Sequence, residues 1–255
     1  MISFFRRTRK QMADDNKPVK YMRYAVGEVV LVVIGILIAL QINNQNELNK
    51  ERNREVHYLK NIKTDLFLNI AEIDRYIDTR SRAIESANII LEHFEGKPLT
   101  DLAAFSEHTI NIYTWRKFFQ NNNTFQELTN SGNLALISND SIKTTLLNME
   151  LLYKIMKDEE AHFRYDAEVL LYEPSYGMID LHYSIKSLTY RLSNGQAGED
   201  VELPREQYEM MLKDIKQKNG FAMAVYEFGA MNVQLEKMKV MCQDLLELID
   251  EDLSR

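Results

Sequence analysis

The feature that most restricts this chain is a run of apolar residues near its N-terminus. From Val29 to Leu40 twelve consecutive residues are apolar, and the segment 24–42 contains one charged side chain, Glu28. As a helix, nineteen residues cover roughly 28 Å, close to the hydrocarbon thickness of a bilayer. Val, Leu and Ile supply twelve of them, which favours insertion by about 4–7 kcal/mol, more than the roughly 2.5 kcal/mol that Glu28 costs at most. The segment predicts one transmembrane helix over residues 24–42.

A cleaved signal peptide is the alternative interpretation of this run. Cleavage requires two small residues in a small-x-small arrangement after the apolar core. The core ends Ile38-Ala39-Leu40-Gln41-Ile42-Asn43-Asn44, and this stretch contains one small residue, Ala39. The 23-residue leader is also long for a signal peptide. The sequence therefore favours an uncleaved signal-anchor.

The charge distribution predicts the orientation of the span. Residues 1–23 hold seven Lys or Arg and have a balance of +5, whereas residues 43–255 carry −11. The positive-inside rule then places the leader (residues 1–23) in the cytoplasm and the domain of residues 43–255 outside, as a periplasmic domain at a bacterial inner membrane. Within the leader, Arg6, Arg7, Arg9 and Lys10 form a basic cluster. This cluster either contacts anionic lipid headgroups or serves only as the orientation signal.

The outer segment predicts one acidic helical domain. Its 213 residues are enough for a single core, and its negative charge argues against nucleic acid as a partner. Apolar residues recur every three or four positions, as on one face of a helix. They include Leu59, Ile62, Leu66 and Ile73 up to the stop at Gly96, then Ile142, Leu146, Met149, Ile155 and Leu170, and finally Met223, Tyr226, Leu235 and Ile249. The predicted fold is all-α: a transmembrane helix continues into a long helix, and an antiparallel helical bundle follows.

Local signals predict where the remaining helices begin and end. Asp101 begins a short helix, Thr124 and Glu127 have the spacing of a capping box, and Asn139 or Asp140 caps a long helix. Glu173-Pro174 is expected to interrupt that helix, and short helices and loop are expected up to Leu192. Residues 193–200 are the clearest loop. Pro204 is expected to start a helix that runs to Lys218, and Asn219-Gly220 to separate it from a last helix ending near Leu253.

Two stretches of the chain have a residue order that matches a known family. The more specific match covers residues 17–47, with Lys20-Tyr21-Met22-Arg23-Tyr24-Ala25-Val26-Gly27-Glu28, then Ile34-Gly35-Ile36, and then Ala39-Leu40-Gln41-Ile42-Asn43-Asn44. The other runs from Thr124-Phe125-Gln126-Glu127-Leu128 through Ser131-Gly132-Asn133-Leu134 to Ile137. Both stretches resemble a family of uncharacterised single-span membrane proteins that is widespread in Bacteroidota. The resemblance implies an inner-membrane protein with a helical outer domain and no assigned activity. It differs at Gln45, where family members commonly have Trp, an aromatic anchor at the outer interface.

The residues that could carry chemistry are better interpreted as structural than as catalytic. Glu159 and His162 have the E-x-x-H spacing of di-iron bundles, which need a second such motif and further glutamates. The methionines of the last helix follow its apolar face, and Cys242 beside Met241 has no basic partner in sequence, so core packing is the expected role of both. No catalytic residue, cofactor site or metal site is predicted, and the protein is not expected to be an enzyme.

The span itself contains the best-motivated site. Gly27, Leu31, Gly35 and Ala39 are spaced four residues apart, and Gly35 with Ala39 forms a small-xxx-small pair that permits close helix approach. Glu28 adjoins this stripe. It is expected either to face the interior of an oligomer, or to reach the headgroups from one turn deep without a protein partner.

Two functions follow from this site. The first is a non-enzymatic, single-pass membrane-anchored scaffold or interaction protein that forms a homo-oligomer in the bilayer and binds envelope protein partners. The alternative is a channel or ion-coupled membrane component with Glu28 lining the oligomer interior. A ligand-sensing bundle is a third and weaker interpretation, because a 23-residue leader is too short to hold an output domain.

Overall fold

The computed structural model describes residues 18–202 and 204–254, and these residues contain no β-strand. The all-α prediction is confirmed. The helices are α1 (Pro18–Phe94), α2 (Leu102–Tyr113), α3 (Asn123–Asn130), α4 (Asp140–Ala167), α5 (Glu173–Met178), α6 (Leu181–Leu192), α7 (Arg205–Met211) and α8 (Ile215–Leu253). A 3₁₀ turn over Asn133–Leu136 precedes α4, and a π-helical turn over Glu168–Tyr172 joins α4 to α5.

The chain divides into two units, of which the first ends at His57 and the second begins at Tyr58. In the first unit, α1 carries the apolar segment. Its 18-residue window of highest hydropathy has a mean of 2.6 and contains no buried residue. By length and composition this helix could cross a membrane. The predicted limits of the span at residues 24 and 42 remain a prediction.

The second unit is built on three long helical segments: the C-terminal part of α1, α4 and α8. Contacts between α1 and α8 show that these two helices run antiparallel, because the partners on α8 come earlier in sequence as those on α1 come later. Lys63 pairs with Asp250, Asp74 with Lys239 at 2.6 Å, and Ser81 accepts a hydrogen bond from Asn232 at 3.3 Å. The predicted antiparallel packing of the helices is therefore observed in this unit.

The apolar faces of these helices form two clusters. One contains Leu59, Ile62, Leu66 and Ile73 of α1, together with Leu146, Met149 and Leu152 of α4 and Leu235, Leu245 and Ile249 of α8. The other is rich in aromatic residues and contains Ile90, Phe105, Phe163, Tyr208, Phe221 and Phe228. Most predicted inward positions are confirmed. Ile155 and Tyr226 are exceptions, because 43% and 70% of their surfaces are exposed.

Several predicted helix ends are confirmed. Asn139 accepts hydrogen bonds from the amides of Ser141 and Ile142 at the start of α4, and Asp101 accepts one from Ala104 at the start of α2. Gly96 follows α1 with φ +106°, a conformation that glycine adopts without strain. These signals are local, which is why sequence alone identifies them.

The predicted capping box of α3 is wrong. Asn122 occupies the cap position and makes no side-chain cap. The amide of Thr124 instead donates a hydrogen bond to Asp65 Oδ2 on α1 at 3.0 Å, and Glu127 accepts one from the hydroxyl of Tyr58 at 3.1 Å. A distant helix therefore supplies the cap that the local motif was expected to provide.

The two interruptions predicted in the C-terminal half are also wrong. Helical structure continues through Glu173-Pro174, and the π-helical turn lies directly before it. Since proline has no amide hydrogen and crowds the carbonyl of Leu170 four residues earlier, widening the preceding turn accommodates it. Likewise α8 begins at Ile215, after the Asp214 cap, and continues through Asn219-Gly220, so the helix expected up to Lys218 is replaced by α7 and the start of α8.

Gly220 has a packing role in α8. A Cβ built on it would lie 2.4 Å from Cδ2 of Leu171 and 3.1 Å from Cβ of Leu170. A carbon atom does not fit at that distance, so the residue allows α8 to approach the π-helical turn closely. The glycine that suggested a helix break in fact permits a contact.

Candidate functional site

The four residues of the predicted packing stripe lie on an uncovered surface of α1. Leu31 is 65% exposed, Ala39 is exposed, and neither Gly27 nor Gly35 has an atom within 4 Å of a built Cβ. Steps of four residues turn each successive position by about 40°, so the stripe winds slowly around one side of the helix. Small residues there would let another helix approach closely.

Glu28 lies next to Gly27 at the start of this stripe, and its side chain is partly exposed. The choice between a position facing other helices and one reaching the headgroups stays a prediction. The leader residues proposed to contact lipid, Arg6, Arg7, Arg9 and Lys10, lie outside the described residues. Gln45, at the position where the resembling proteins carry Trp, donates a hydrogen bond to Asn49 at 3.3 Å.

The second unit contains an apolar cavity of about 270 Å³ between α2, α5, α6 and α7. Ile110, Tyr176, Ile179, Ile185 and Leu188 are among its lining residues. Its volume is close to the lower end of the range for ligand-binding pockets. The cavity adjoins the π-helical turn, an irregularity that is frequent at functional sites.

A network of hydroxyl and amide groups lies against this cavity. Tyr113 donates toward Gln217 Oε1 at 2.9 Å and lies 2.5 Å from the hydroxyl of Ser175, while Gln217 donates to the carbonyl of Leu171 at 2.8 Å. Burial raises the pKa of Tyr113 to about 12, and its hydrogen bonds to Ser175 and Gln217 partly oppose the shift. The phenol is therefore neutral at physiological pH. Since these groups bind one another, the cavity is suited to an apolar group.

The E-x-x-H residues do not act together. Glu159 accepts a weak hydrogen bond from Gln234 at 3.4 Å, and burial raises its pKa. His162 instead faces Asp166, with Nε2 3.7 Å from Oδ2, and Glu227 of α8 completes a group whose ligand atoms lie within 4.8 Å of one another. Only the fold reveals this group, because Glu227 is distant in sequence. The imidazole of His162 is 66% exposed. Exposed groups of acidic residues such as this one are common without a metal.

Cys242 lies in the core of the second unit. It is fully buried, and burial raises the pKa of its thiol to about 12. A thiol that stays protonated at neutral pH is a poor nucleophile. Met231 and Met238 are also buried on this face of α8, which agrees with the predicted packing role.

Comparison with protein families gives one match. A family of unknown function, DUF6090, matches residues 28–179, more than half of the chain. The protein belongs to the DUF6090 family. The expected resemblance to an uncharacterised family is thereby confirmed, whereas an origin in Bacteroidota remains a prediction. No curated protein and no solved structure matches the chain.

The DUF6090 match has a definite position in the fold. It begins at Glu28, covers α1 from that residue onward and ends at Ile179, just after α5. It includes the stripe from Leu31 to Ala39 and the Thr124–Ile137 element. The match does not extend to α8, although α8 supplies residues to both core clusters.

Proposed function

We propose that this DUF6090 protein is a non-enzymatic, single-pass scaffold or interaction protein of a bacterial inner membrane, which self-associates through α1. The observation that carries the proposal is the stripe of Gly27, Leu31, Gly35 and Ala39, which lies on the N-terminal apolar segment of α1, where the 18-residue window of highest hydropathy contains no buried residue. In a bilayer, helices associate by close van der Waals contact, and small residues permit it.

The same proposal includes a cytoplasmic leader and a periplasmic outer domain. The support is the charge difference between residues 1–23, at +5, and residues 43–255, at −11. Protease added to spheroplasts tests this orientation. Removal of the outer domain is expected, and its complete protection in intact spheroplasts but not in lysed ones would reverse the topology.

Native mass measurement of the full chain in mild detergent tests self-association. We expect an oligomer for the wild type and a lower mass for the double variant Gly35→Leu/Ala39→Leu, because two leucines separate the helices. The matched control is Val30→Leu/Val33→Leu, which enlarges side chains on roughly the opposite side of the same helix. A monomeric wild type, or equal masses for wild type and the Gly35/Ala39 variant, would contradict the proposal.

A further inference from the structure

The second unit contains another cavity, which differs from the apolar one in its charge. It has a volume of about 470 Å³ and lies between α1, the segment around the end of α2, and α8. Its charged lining side chains are four arginines and one glutamate, namely Arg75, Arg80, Arg82, Arg116 and Glu107. The whole chain has a net charge of −7, so the charge that lines this cavity is opposite in sign to that of the protein as a whole.

Arg80 is the most deeply buried of these cations. It is 4% exposed, and its Nη2 donates a 2.5 Å hydrogen bond to Glu160 Oε1. Among the described residues this is the one hydrogen bond of the guanidinium, and the buried Nε has no partner. Burial lowers the pKa of Arg80 while Glu160 opposes the shift, but a guanidinium keeps its charge in a protein. A charged group with unused donors thus lines the cavity.

The carboxylate of Glu160 cannot balance the charge around it. Besides Arg80 it binds Lys157 Nζ at 2.9 Å and the amide of Phe118 at 2.8 Å. Two cations therefore share one carboxylate, so the cluster has an excess of positive charge; Lys157 is 27% exposed, whereas Arg80 and Glu160 are buried. Since buried charge is unfavourable unless it is paired, an anion in the adjoining cavity would be stabilised.

The other arginines differ in how far they are already paired. Arg75 binds Glu72 at 2.6 Å and Arg82 binds Asp78 at 2.7 Å, while Glu107 binds Arg191 at 3.3 Å. Arg116 is exposed and forms no ion pair within the described part of the chain. The charge left over by this pairing belongs to Arg116 and to the Arg80–Lys157–Glu160 cluster, and it is positive.

Aromatic rings form the remaining walls of the cavity. Tyr76 has the guanidinium of Arg75 4.9 Å and that of Arg80 5.7 Å from its ring centre. Trp115, whose ring centre lies 5.0 Å from that of Phe163, and Phe228 also line the cavity. The cavity therefore offers planar guanidinium donors, which suit phosphate and carboxylate groups, beside surfaces on which an apolar group can pack.

We propose that this cavity binds a small organic oxyanion, a phosphate or carboxylate group attached to an aromatic or aliphatic body. The oxyanion would compensate the charge near Arg80 and Arg116, and the body would pack on Trp115 and Tyr76. Such a group could belong to a soluble metabolite or to a lipid headgroup, and both present the same oxygen atoms to the arginines.

Trp115 provides a direct measurement, because it is the single tryptophan of the chain and lines the cavity. The full chain in non-ionic detergent is titrated with phenyl phosphate while the tryptophan fluorescence is recorded. We expect a saturable change that phenol, which is uncharged, does not produce, and an affinity that falls as salt is added. Stronger competition by inorganic phosphate than by phosphatidylglycerol mixed into the detergent micelles indicates a soluble ligand, and the reverse order indicates a lipid headgroup.

Two variants form a matched pair for this experiment. Arg75 and Arg164 have side chains 57% and 55% exposed, each pairs with a glutamate one helical turn away in sequence, and each lies over a tyrosine ring. Only Arg75 is among the residues that line the cavity. We expect Arg75→Gln to weaken phenyl phosphate binding by removing one positive charge from the cavity wall, less than Arg116→Gln does because Arg75 is already paired with Glu72, and Arg164→Gln to leave it unchanged.

Three results would overturn the proposal: no saturable fluorescence change with phenyl phosphate, an equal change with phenol, or equal weakening in both variants. Calorimetric titration of the same samples guards against a fluorescence change without binding. The Arg116→Gln variant adds a second test, since an exposed side chain can be replaced without disturbing the core. Its expected effect is a weakening in the same direction as Arg75→Gln.

Discussion

The contact at Gly220 predicts that Gly220→Ala destabilises the protein, whereas Gly→Ala in the interior of a helix generally stabilises it. In the interior of a helix, Gly→Ala is expected to stabilise by about 1 kcal/mol, because alanine has the higher helix propensity. At Gly220, however, the new methyl group would lie 2.4 Å from Leu171 Cδ2 and 2.6 Å from its Cγ. Leu171 is 1% exposed, so its side chain has little space into which it can move.

The magnitude follows from these two opposing contributions. Forcing an extra methyl group into a filled core costs typically 1–3 kcal/mol, and an overlap of more than 1 Å with a nearly inaccessible leucine belongs at the upper end of that range. After the gain of about 1 kcal/mol in helix propensity is subtracted, Gly220→Ala should lower the free energy of unfolding by about 2 kcal/mol. For a domain of this size that is a decrease of roughly 4–8 °C in melting temperature.

Gly229 supplies the control within the same helix. A Cβ built on Gly229 meets no atom within 4 Å, so Gly229→Ala should raise the free energy of unfolding by about 0.5–1 kcal/mol. Both variants are measured by circular dichroism at 222 nm during heating and urea denaturation of the full chain in detergent. A Gly220→Ala protein as stable as the wild type, or more stable, would refute the assigned role of the contact.

Two further predictions concern the second unit. Asp65→Ala removes the acceptor for the Thr124 amide and should destabilise the unit by about 1 kcal/mol, as loss of a helix cap does; an unchanged urea midpoint would contradict this. Cys242, with its pKa raised to about 12 from 9.0, should resist iodoacetamide at pH 8 until the protein unfolds. As the pH rises, the thiol ionises in the unfolded chain before it ionises in the folded protein. The free energy of unfolding should therefore fall between pH 9 and 12 by up to about 1.4 kcal/mol per pH unit. The Cys242→Ala variant should show a smaller decrease over the same pH range.

Sequence patterns predicted the structure correctly where it is determined by contacts between residues that are close in sequence. The apolar periodicity of α1, the caps at Asp101 and Asn139 and the stop at Gly96 each depend on residues within one or two turns. The family resemblance also rests on short segments, and the DUF6090 match agrees with it. These parts of the fold could be predicted because neighbouring residues decide them.

The sequence was misleading where a distant residue decides the outcome. Thr124 and Glu127 have the spacing of a capping box, but Asp65 and Tyr58 take those hydrogen bonds after the chain folds. Gly220 suggests a helix end, yet its meaning depends on Leu171, which lies about fifty residues earlier. Local propensity is a weak guide at such positions, since tertiary contacts override it.

The two candidate sites also differ in whether neighbouring or distant residues form them. The stripe from Gly27 to Ala39 is visible in sequence because it lies on one helix. The cationic cavity is not, because Arg80, Trp115 and Phe228 come from separate segments and have no common motif. Three arginines within residues 75–82 of an otherwise acidic domain, Arg75, Arg80 and Arg82, are the one sequence signal that pointed toward it.

The antiparallel contact between α1 and α8 has a consequence for synthesis of the protein. Lys63 and Asp74 find their partners 187 and 165 residues later, on the last helix. At a translation rate of roughly 5–20 residues per second, about 10–40 s pass between the emergence of the two sides of this contact. Throughout that interval the core around Leu59, Ile62 and Leu66 lacks the residues of α8. The nascent chain therefore exposes an apolar surface to solvent. Because transiently exposed apolar surface favours aggregation, we expect the chain to be most prone to aggregate before the final helix is complete.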